Sequence, residues 1–183
     1  MTRLLKNRLA LSTVITTLII LVVSILLASV LVYFATNVVS TRVQEESLYV
    51  SKQHIWVDIG GAAQGAIMVT NIGGRDVVIS KIAVRGQTSA WTNVFYLMAA
   101  SGDVGLTADL PHLNAVAAGT VAGFANPLGA TTGNLVLPSG STIVIYIDSP
   151  DSVGLNDIGL TVSIAIHSAQ AVYYSETNIQ AIP

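Results

Sequence analysis

The residues that could carry out chemistry in this sequence are few and widely spaced. Its three histidines are His54, His112 and His167, and none has a second histidine at the spacing of a metal site. The chain has no cysteine, which excludes thiolate ligands, cysteine nucleophiles and disulfides. Ser139 lies in Pro-Ser-Gly, not in the Gly-X-Ser-X-Gly turn of a serine hydrolase. We therefore predict no catalytic, cofactor-binding or metal site, no cofactor, and no enzyme activity.

The other candidates have structural interpretations. Asp148, Asp151 and Asp157 surround a proline-containing loop and could bind calcium, but they lack EF-hand spacing, so a solvated acidic loop is favoured. Trp56 and Trp91 are interpreted as packing residues of a core or interface.

The composition is too apolar for an ordinary soluble domain. Hydrophobic residues make up 52% of the chain and the mean hydropathy is +0.67. Charged residues make up 10%, against roughly 25% in typical domains. Lipid or further copies of the chain must face part of this surface. The first eight residues include Arg3, Lys6 and Arg8, and the rest of the chain is net acidic, which makes a nucleic-acid partner improbable.

An uncharged segment follows the basic residues and extends over 9–41. As a helix it would be roughly 50 Å long, against a hydrocarbon core of about 30 Å. Its Ser and Thr hydroxyls can bond to backbone carbonyls and so do not forbid insertion. The basic residues should stay in the cytoplasm, which places everything after Phe34 outside. The apolar core is too long for a cleavable secretory signal.

The sequence from Arg8 to Ile15 resembles the class III signal of archaeal type IV-type pilins and archaellins. This resemblance implies that a prepilin-type peptidase removes residues 1–10 by cutting between Ala10 and Leu11. Leu9 departs from the family pattern, which has a polar or charged residue at that position. Ile15 stands where bacterial pilins carry Glu, which favours the archaeal branch. The Gly-Thr-Leu-Ile opening of archaellins is absent, which favours a pilin.

The resemblance also implies a route to assembly. Once the basic leader is removed, an apolar helix can leave the lipid only by packing among identical helices, and an assembly platform would be a further partner. A stripe of small residues would permit close approach of helices. Its members are Thr13, Thr17, Ser24, Ala28 and Ala35. A rough 3.6-residue period predicts that this helix, with its stalk, spans 11–53.

The remainder, 54–183, is predicted to be an extracytoplasmic β-sandwich, which gives an α+β fold class. The strands are expected at 55–57, 66–70, 77–85, 94–98, 141–148, 160–167 and 171–179. The apolar run Thr142–Ile147 predicts a strand buried on both faces. Asn71-Ile-Gly-Gly-Arg75 predicts a turn. Several of these fragments resemble the immunoglobulin-like head of archaeal pilins and archaellins.

The segment 99–132 is rich in Gly, Ala, Thr and Asn and is long for a structureless loop. It either hides short strands or is an ordered insertion. Its low charge leaves two interpretations open, contact between subunits and a plain surface loop.

Three hypotheses follow from the whole chain. The first is the subunit of a surface filament serving adhesion or cell contact. The second is a single-pass anchored binding module with an immunoglobulin-like head. The third is an archaellin of a motility filament. Removal of the leader distinguishes the first from the second.

Overall fold

A computed structural model describes residues 2–43, 45–150 and 152–182. The chain divides into two compact units, Met1–Val43 and Gln44–Pro183. The first unit is a helix and the second is a β-rich head. This layout confirms the predicted fold class, an apolar N-terminal helix followed by a β-sandwich-like head.

Helix α1 extends from Thr2 to Val43, a length of 42 residues. Its sequence contains neither Gly nor Pro, the two residues that most disfavour a helix interior. The side chains of residues 2–10, 42 and 43 lie outside the description.

The head contains ten strands. They are β1 (Leu48–Val57), β2 (Ala63–Asn71), β3 (Val77–Val84), β4 (Gln87–Thr88), β5 (Val94–Met98), β6 (Gly129–Ala130), β7 (Leu135–Leu137), β8 (Thr142–Asp148), β9 (Thr161–Ser168) and β10 (Val172–Ala181). All seven predicted strands are present within a few residues of their expected bounds, except that β1 begins earlier than predicted. The sequence did not predict the short strands β4 and β7, whereas β6 lies within 99–132, where hidden short strands are one of the two expected alternatives.

The strands form two layers that are joined through β10. Layer 1 consists of β1, β2, β8, β5 and β6, and layer 2 consists of β10, β9, β3, β4 and β7. The first part of β10 pairs with β9 in antiparallel fashion, and its last residues, Ile179–Ala181, pair in parallel with Ile55–Val57 of β1. Aliphatic side chains from both layers fill the core between them. The head is therefore a sandwich.

The outer face of layer 1 carries a second core. We call residues 99–132 the cover segment, because its side chains Leu110, Val121, Phe124 and Leu128 pack on layer 1. They contact side chains that point away from the first core, including those of Trp56, Met68, Leu97, Val144 and Tyr146. The head thus has three levels, which are the cover segment, layer 1 and layer 2.

Strand β8 confirms the prediction of a strand buried on both faces. Each residue from Ile143 to Ile147 is 0% exposed. Ile143, Ile145 and Ile147 face layer 2, whereas Val144 and Tyr146 face the cover segment.

The predicted helix and stalk over 11–53 are wrong at their C-terminal end, and so is the predicted start of the head at 54. Helix α1 ends at Val43, and Leu48 already pairs with Asn71 of β2. A β-bulge explains the error, because Lys52 and Gln53 lie together opposite the single residue Ile67. The extra residue breaks the period-2 alternation of β1 and leaves spacings that resemble a helix.

The predicted turn at Asn71 is confirmed, and it connects the two layers. The buried amide of Asn71 donates to the carbonyl oxygens of Arg75, at 2.8 Å, and Leu137, at 3.0 Å. The side-chain oxygen of Asn71 accepts a bond from the Gly73 N–H at 3.0 Å. These bonds direct the chain from β2 in layer 1 to β3 in layer 2.

We predict that Gly105→Ala destabilises the head. A Cβ at this position would lie 2.3 Å from the ring of Phe124, so the ring must move. The expected loss is about 1–3 kcal/mol in the free energy of unfolding. It can be measured by denaturant unfolding of the detergent-solubilised chain, followed by the fluorescence of Trp56 and Trp91. Gly119→Ala is the matched control, because its Cβ would meet no atom within 4 Å. Equal stability of the two variants would contradict this packing.

Candidate functional site

The largest candidate site is the surface of α1. The part Leu11–Thr41 is long and apolar enough to cross a membrane, with a mean hydropathy of 2.9 over its most apolar window. Every residue from 11 to 41 is exposed within the isolated chain. At 1.5 Å per residue this part is roughly 46 Å long, which exceeds a hydrocarbon core of about 30 Å.

Several hydroxyl side chains of α1 bond to the backbone of the helix itself. The hydroxyls of Thr16, Ser24 and Ser29 donate to the carbonyl oxygens four residues earlier, at 2.9, 2.6 and 2.8 Å. Thr36 bonds in the same way to the carbonyl oxygen of Val32. These hydroxyls need no donor or acceptor from outside the helix, which is what the sequence analysis expects of them.

The predicted packing stripe lies along one side of α1. At 100° per residue its five members fall within an arc of roughly 60°. They are Thr13, Thr17, Ser24, Ala28 and Ala35, and all are exposed.

The predicted processing residues lie within the same helix. Leu11 is exposed, whereas the side chains of Arg8, Leu9 and Ala10 lie outside the described residues. The cut between Ala10 and Leu11 therefore stays a prediction.

The chain is fixed to the head within a few residues of the end of α1. The carbonyl oxygen of Ser47 accepts bonds from the N–H groups of Ile72 and Gly73, both at 3.0 Å. The hydroxyl of Tyr173 donates to the carbonyl oxygen of Glu46 at 3.2 Å. A side chain at Gly73 would collide with the Glu45 carbonyl oxygen, since its Cβ would lie 2.6 Å away. The head therefore begins by Glu45, two residues after α1 ends.

Two of the three histidines contact the ring of Trp56. The ring of His54 stacks on the Trp56 ring at 5.0 Å, and the ring of His112 meets it edge-on at 5.6 Å. The Nε2 atom of His54 lies 2.7 Å from a carboxylate oxygen of Asp109. Burial lowers the pKa of His112, and the charge of Asp58 opposes this effect. Trp56 itself is buried, as the packing interpretation predicts.

The remaining candidates serve local structure. The carboxylate of Asp157 accepts bonds from the Gly154 N–H at 3.0 Å and from Arg85 at 2.9 Å. These bonds lower the pKa of Asp157, the bond from Gly154 most strongly. The Ser139 hydroxyl donates to the carbonyl oxygen of Gly73 at 2.6 Å. Asp151 lies outside the described residues, and among those described no three His, Asp or Glu side chains form a metal-binding group.

Lys52 fixes the cover segment to layer 1. The bulge places Lys52 at a φ of 52°, in the left-handed region that non-glycine residues rarely adopt. Its ammonium donates to the carbonyl oxygens of Gly105 at 3.1 Å, Leu106 at 2.8 Å and Ala108. One cation thus satisfies three carbonyls at the end of the 3₁₀ turn Val104–Leu106.

Two further side chains of layer 1 hold the same segment. The buried amide of Gln64 both donates to and accepts from the backbone of Leu113, at 3.0 and 2.9 Å. The Tyr146 hydroxyl donates to the carbonyl oxygen of Pro111 at 2.9 Å, and burial raises its pKa. Together with Lys52 and His54 they bind residues 105–113. The cover segment is therefore an ordered insertion that also contains the short strand β6 (Gly129–Ala130).

The sequence did not reveal these anchors, because their partners are backbone carbonyls or residues about 50 positions away. One signal in the sequence could have indicated them. Lys52 and His54 are polar residues within the strand β1, and the charge-poor segment 99–132 offers few charged partners of its own.

The described residues define a class of protein, a membrane-type apolar helix joined to a β-sandwich-like head. No protein-family model and no curated protein matches this chain.

Several solved structures share limited similarity with the head. The CARDB domain of a Pyrococcus furiosus protein has a TM-score of 0.35 at 10% identity, with 74% of this chain and 90% of that one covered. A family 123 glycoside hydrolase from Clostridium perfringens has a TM-score of 0.34 at 12% identity, with 75% and 27% covered. A β-glucosidase from Listeria innocua has a TM-score of 0.29 at 12% identity, with 74% and 16% covered. The chain thus spans a small part of both enzymes, and these similarities carry no argument about function.

We predict that Lys52→Met loosens the cover segment. Loss of the charge-assisted hydrogen bonds should cost about 1.5–3 kcal/mol in the free energy of unfolding. Hydrogen exchange should also become faster at residues 105–109. Lys81→Met, which removes a lysine from layer 2, is the matched control. An unchanged exchange rate in Lys52→Met would contradict the anchoring role.

We also predict that the contact between His54 and Asp109 depends on pH. The hydrogen bond from His54 lowers the pKa of Asp109 below its ordinary value of 3.8. A carboxyl group with a lowered folded-state pKa stabilises the fold above its unfolded value, and this contribution disappears as pH falls through the folded pKa. Asp109→Asn should therefore destabilise the head near neutral pH and have little effect well below pH 3.8.

The measurement is denaturant unfolding at a series of pH values. Repeating it with Asp109→Asn in a His54→Phe background gives the control, because removal of the imidazole should reduce the pH-dependent difference, leaving the smaller effects of the Leu110 N–H and Lys52. An undiminished difference without His54 would contradict the role of His54.

Proposed function

We propose that this chain is the structural subunit of an extracellular filament of the archaeal type IV pilus class, serving surface adhesion or cell contact. The observation that carries the proposal is the uncharged, fully exposed surface of Leu11–Thr41, joined to an ordered head by a connection of a few residues. A protein with this surface needs lipid or other copies of itself to cover the helix.

The precursor lies in the cytoplasmic membrane with its basic N-terminus inside. A prepilin-type signal peptidase removes residues 1–10, and an assembly platform extracts the mature helix into a bundle of identical helices. The head, proposed to be immunoglobulin-like, then faces the cell exterior. The role is structural rather than enzymatic, in keeping with the local bonds that occupy Ser139 and Asp157.

The short connection between helix and head supports polymerisation over simple anchoring. A binding module that samples its surroundings gains reach from a flexible linker. Here Glu46 and Ser47 are already hydrogen-bonded to the head. An open polymer needs two different patches that meet head to tail, and a charge-poor surface offers them at low desolvation cost.

We predict that Ala10→Asp blocks processing and abolishes filaments, because the residue before the cut must be small. The full chain is expressed with a prepilin-type peptidase and a pilus assembly platform, the N-terminus of the product is determined by mass spectrometry, and the cells are imaged by electron microscopy. Wild-type product should begin at Leu11, whereas Ala10→Asp product should retain the leader. Ala10→Gly is the matched control and should be processed normally.

Two results would contradict the proposal in different ways. Normal filaments from Ala10→Asp would show that the cut is assigned to the wrong bond. Wild-type product that keeps residues 1–10 and remains a detergent-bound monomer would replace the filament subunit with an anchored binding module.

A further inference from the structure

We infer that, in the precursor, lipid hydrocarbon covers about residues 14–33 of α1, which places Tyr33 and Phe34 at the outer interface and leaves 36–41 in water. The inference rests on the proposed function, in which the precursor spans the membrane before its leader is removed. It adds the depth of the helix, which determines the part of its surface that contacts lipid.

The depth is open because the uncharged part of the helix is longer than the membrane is thick. The nearest charged residues on its two sides are Arg8 and Arg42. The run between them is roughly 50 Å long, whereas a hydrocarbon core of about 30 Å holds about 20 residues of helix. Roughly 20 Å of helix must therefore lie outside the hydrocarbon, at one end or at both.

Tyr33 and Phe34 indicate the outer boundary. They are the only aromatic residues of the run 9–41, they are adjacent, and both side chains are exposed. Tyrosine is enriched where hydrocarbon meets the lipid headgroups, because its ring is apolar and its hydroxyl is polar. If Tyr33 lies at the outer boundary, the roughly 20 residues that cross the hydrocarbon are 14–33.

Asn37 sets a limit on the same side. Its side chain is the only carboxamide of the run 9–41, it is exposed, and it forms no hydrogen bond with the residues that the structure describes. The hydroxyls of Thr36 and Thr41 differ, because they donate to the carbonyl oxygens of Val32 and Asn37. An unpaired carboxamide is costly in hydrocarbon. The Asn37 side chain must therefore reach water or the headgroups.

The distribution of hydroxyl groups favours the same depth. Four of the seven residues in 11–17 are Ser or Thr, against two of the seventeen in 18–34. A helix with Leu11 at the inner boundary would carry all of the first group into hydrocarbon and would leave the large apolar side chains of 31–34 in water. A position over 14–33 moves Ser12 and Thr13 out of the hydrocarbon and keeps 31–33 within it, which is the more favourable arrangement.

This depth also suits the predicted processing site. With residue 14 at the inner boundary, the bond between Ala10 and Leu11 lies about 5 Å outside the hydrocarbon, among the lipid headgroups. A peptidase that hydrolyses this bond needs water, which reaches the headgroups but not the hydrocarbon. The leader, with Arg3, Lys6 and Arg8, then lies on the cytoplasmic side.

The test measures which positions of the helix water reaches, and it uses single cysteines because the natural chain contains none. The full chain is expressed without a prepilin-type peptidase, so that the precursor stays in the membrane, and spheroplasts are treated with a membrane-impermeant maleimide. Thr36→Cys and Ser40→Cys should be labelled about tenfold faster or more than Ser24→Cys and Val32→Cys, because the reactive thiolate forms in water and not in hydrocarbon.

Two further variants serve as controls. Gln170→Cys, in the exposed connection between β9 and β10, should be labelled from outside. Ser12→Cys should be labelled only after the membrane is permeabilised, because it lies at the inner interface. The wild-type chain should not be labelled.

The outcomes separate the inference from the function on which it rests. Labelling of Val32→Cys as fast as that of Thr36→Cys would overturn the inference, since the hydrocarbon would then cover a more N-terminal part of α1. Slow labelling of Thr36→Cys and Ser40→Cys would overturn it in the opposite direction. Both results leave the filament subunit intact. Failure of Gln170→Cys to label from outside would place the head inside the cell and reject the proposed function together with the inference.

Discussion

The head depends on a sheet that is apolar on both faces. Strand β8 contributes five consecutive side chains with no exposure, and alternation divides them between two cores. Layer 2 can cover only one face, so a second element must cover the other. Most of the irregular structure follows from this requirement, since an insertion without long strands must lie on a sheet and satisfy its own backbone groups there.

That requirement explains why polar residues stand among apolar ones on the outer face of layer 1. Gln64 and Tyr146 are buried, yet each donates to a backbone carbonyl of the cover segment. Lys52 does the same with a charge, and the bulge in β1 is the backbone adjustment that aims it. The helix poses the same problem on a larger scale. Hydroxyls such as those of Ser24 and Ser29 bond within the helix, and the surrounding apolar side chains of 11–41 remain exposed.

Local sequence patterns predicted much of this architecture, whereas the features that depend on long-range contacts could not be predicted from the sequence. The charge-free run predicted α1 and the β-branched runs predicted the strands, because both signals depend on residues that are close together in the sequence. The C-terminal part of α1 was misjudged because the bulge at Lys52 hides the alternation of β1. The cover segment was recognised as unusual, but its position could not be predicted, since Lys52 contacts Ala108 and Gln64 contacts Leu113 across long stretches of sequence. The processing site differs from the cover segment, because its prediction depends only on the local residues 8–11 and on no long-range contact.

The position of β1 has a mechanical consequence. It is the first strand after α1, and it is hydrogen-bonded on both edges, to β2 along most of its length and to β10 at its far end. A pull transmitted from α1 reaches β1 at Leu48, where the strand pairs with β2, and the pairing with β10 lies further on at Ile55–Val57. Release of the whole strand from the head therefore requires two sets of hydrogen bonds to break, and forced unfolding is governed by the barrier to that event. The far end of β1 is thus the part that ties the first strand of the head to both layers.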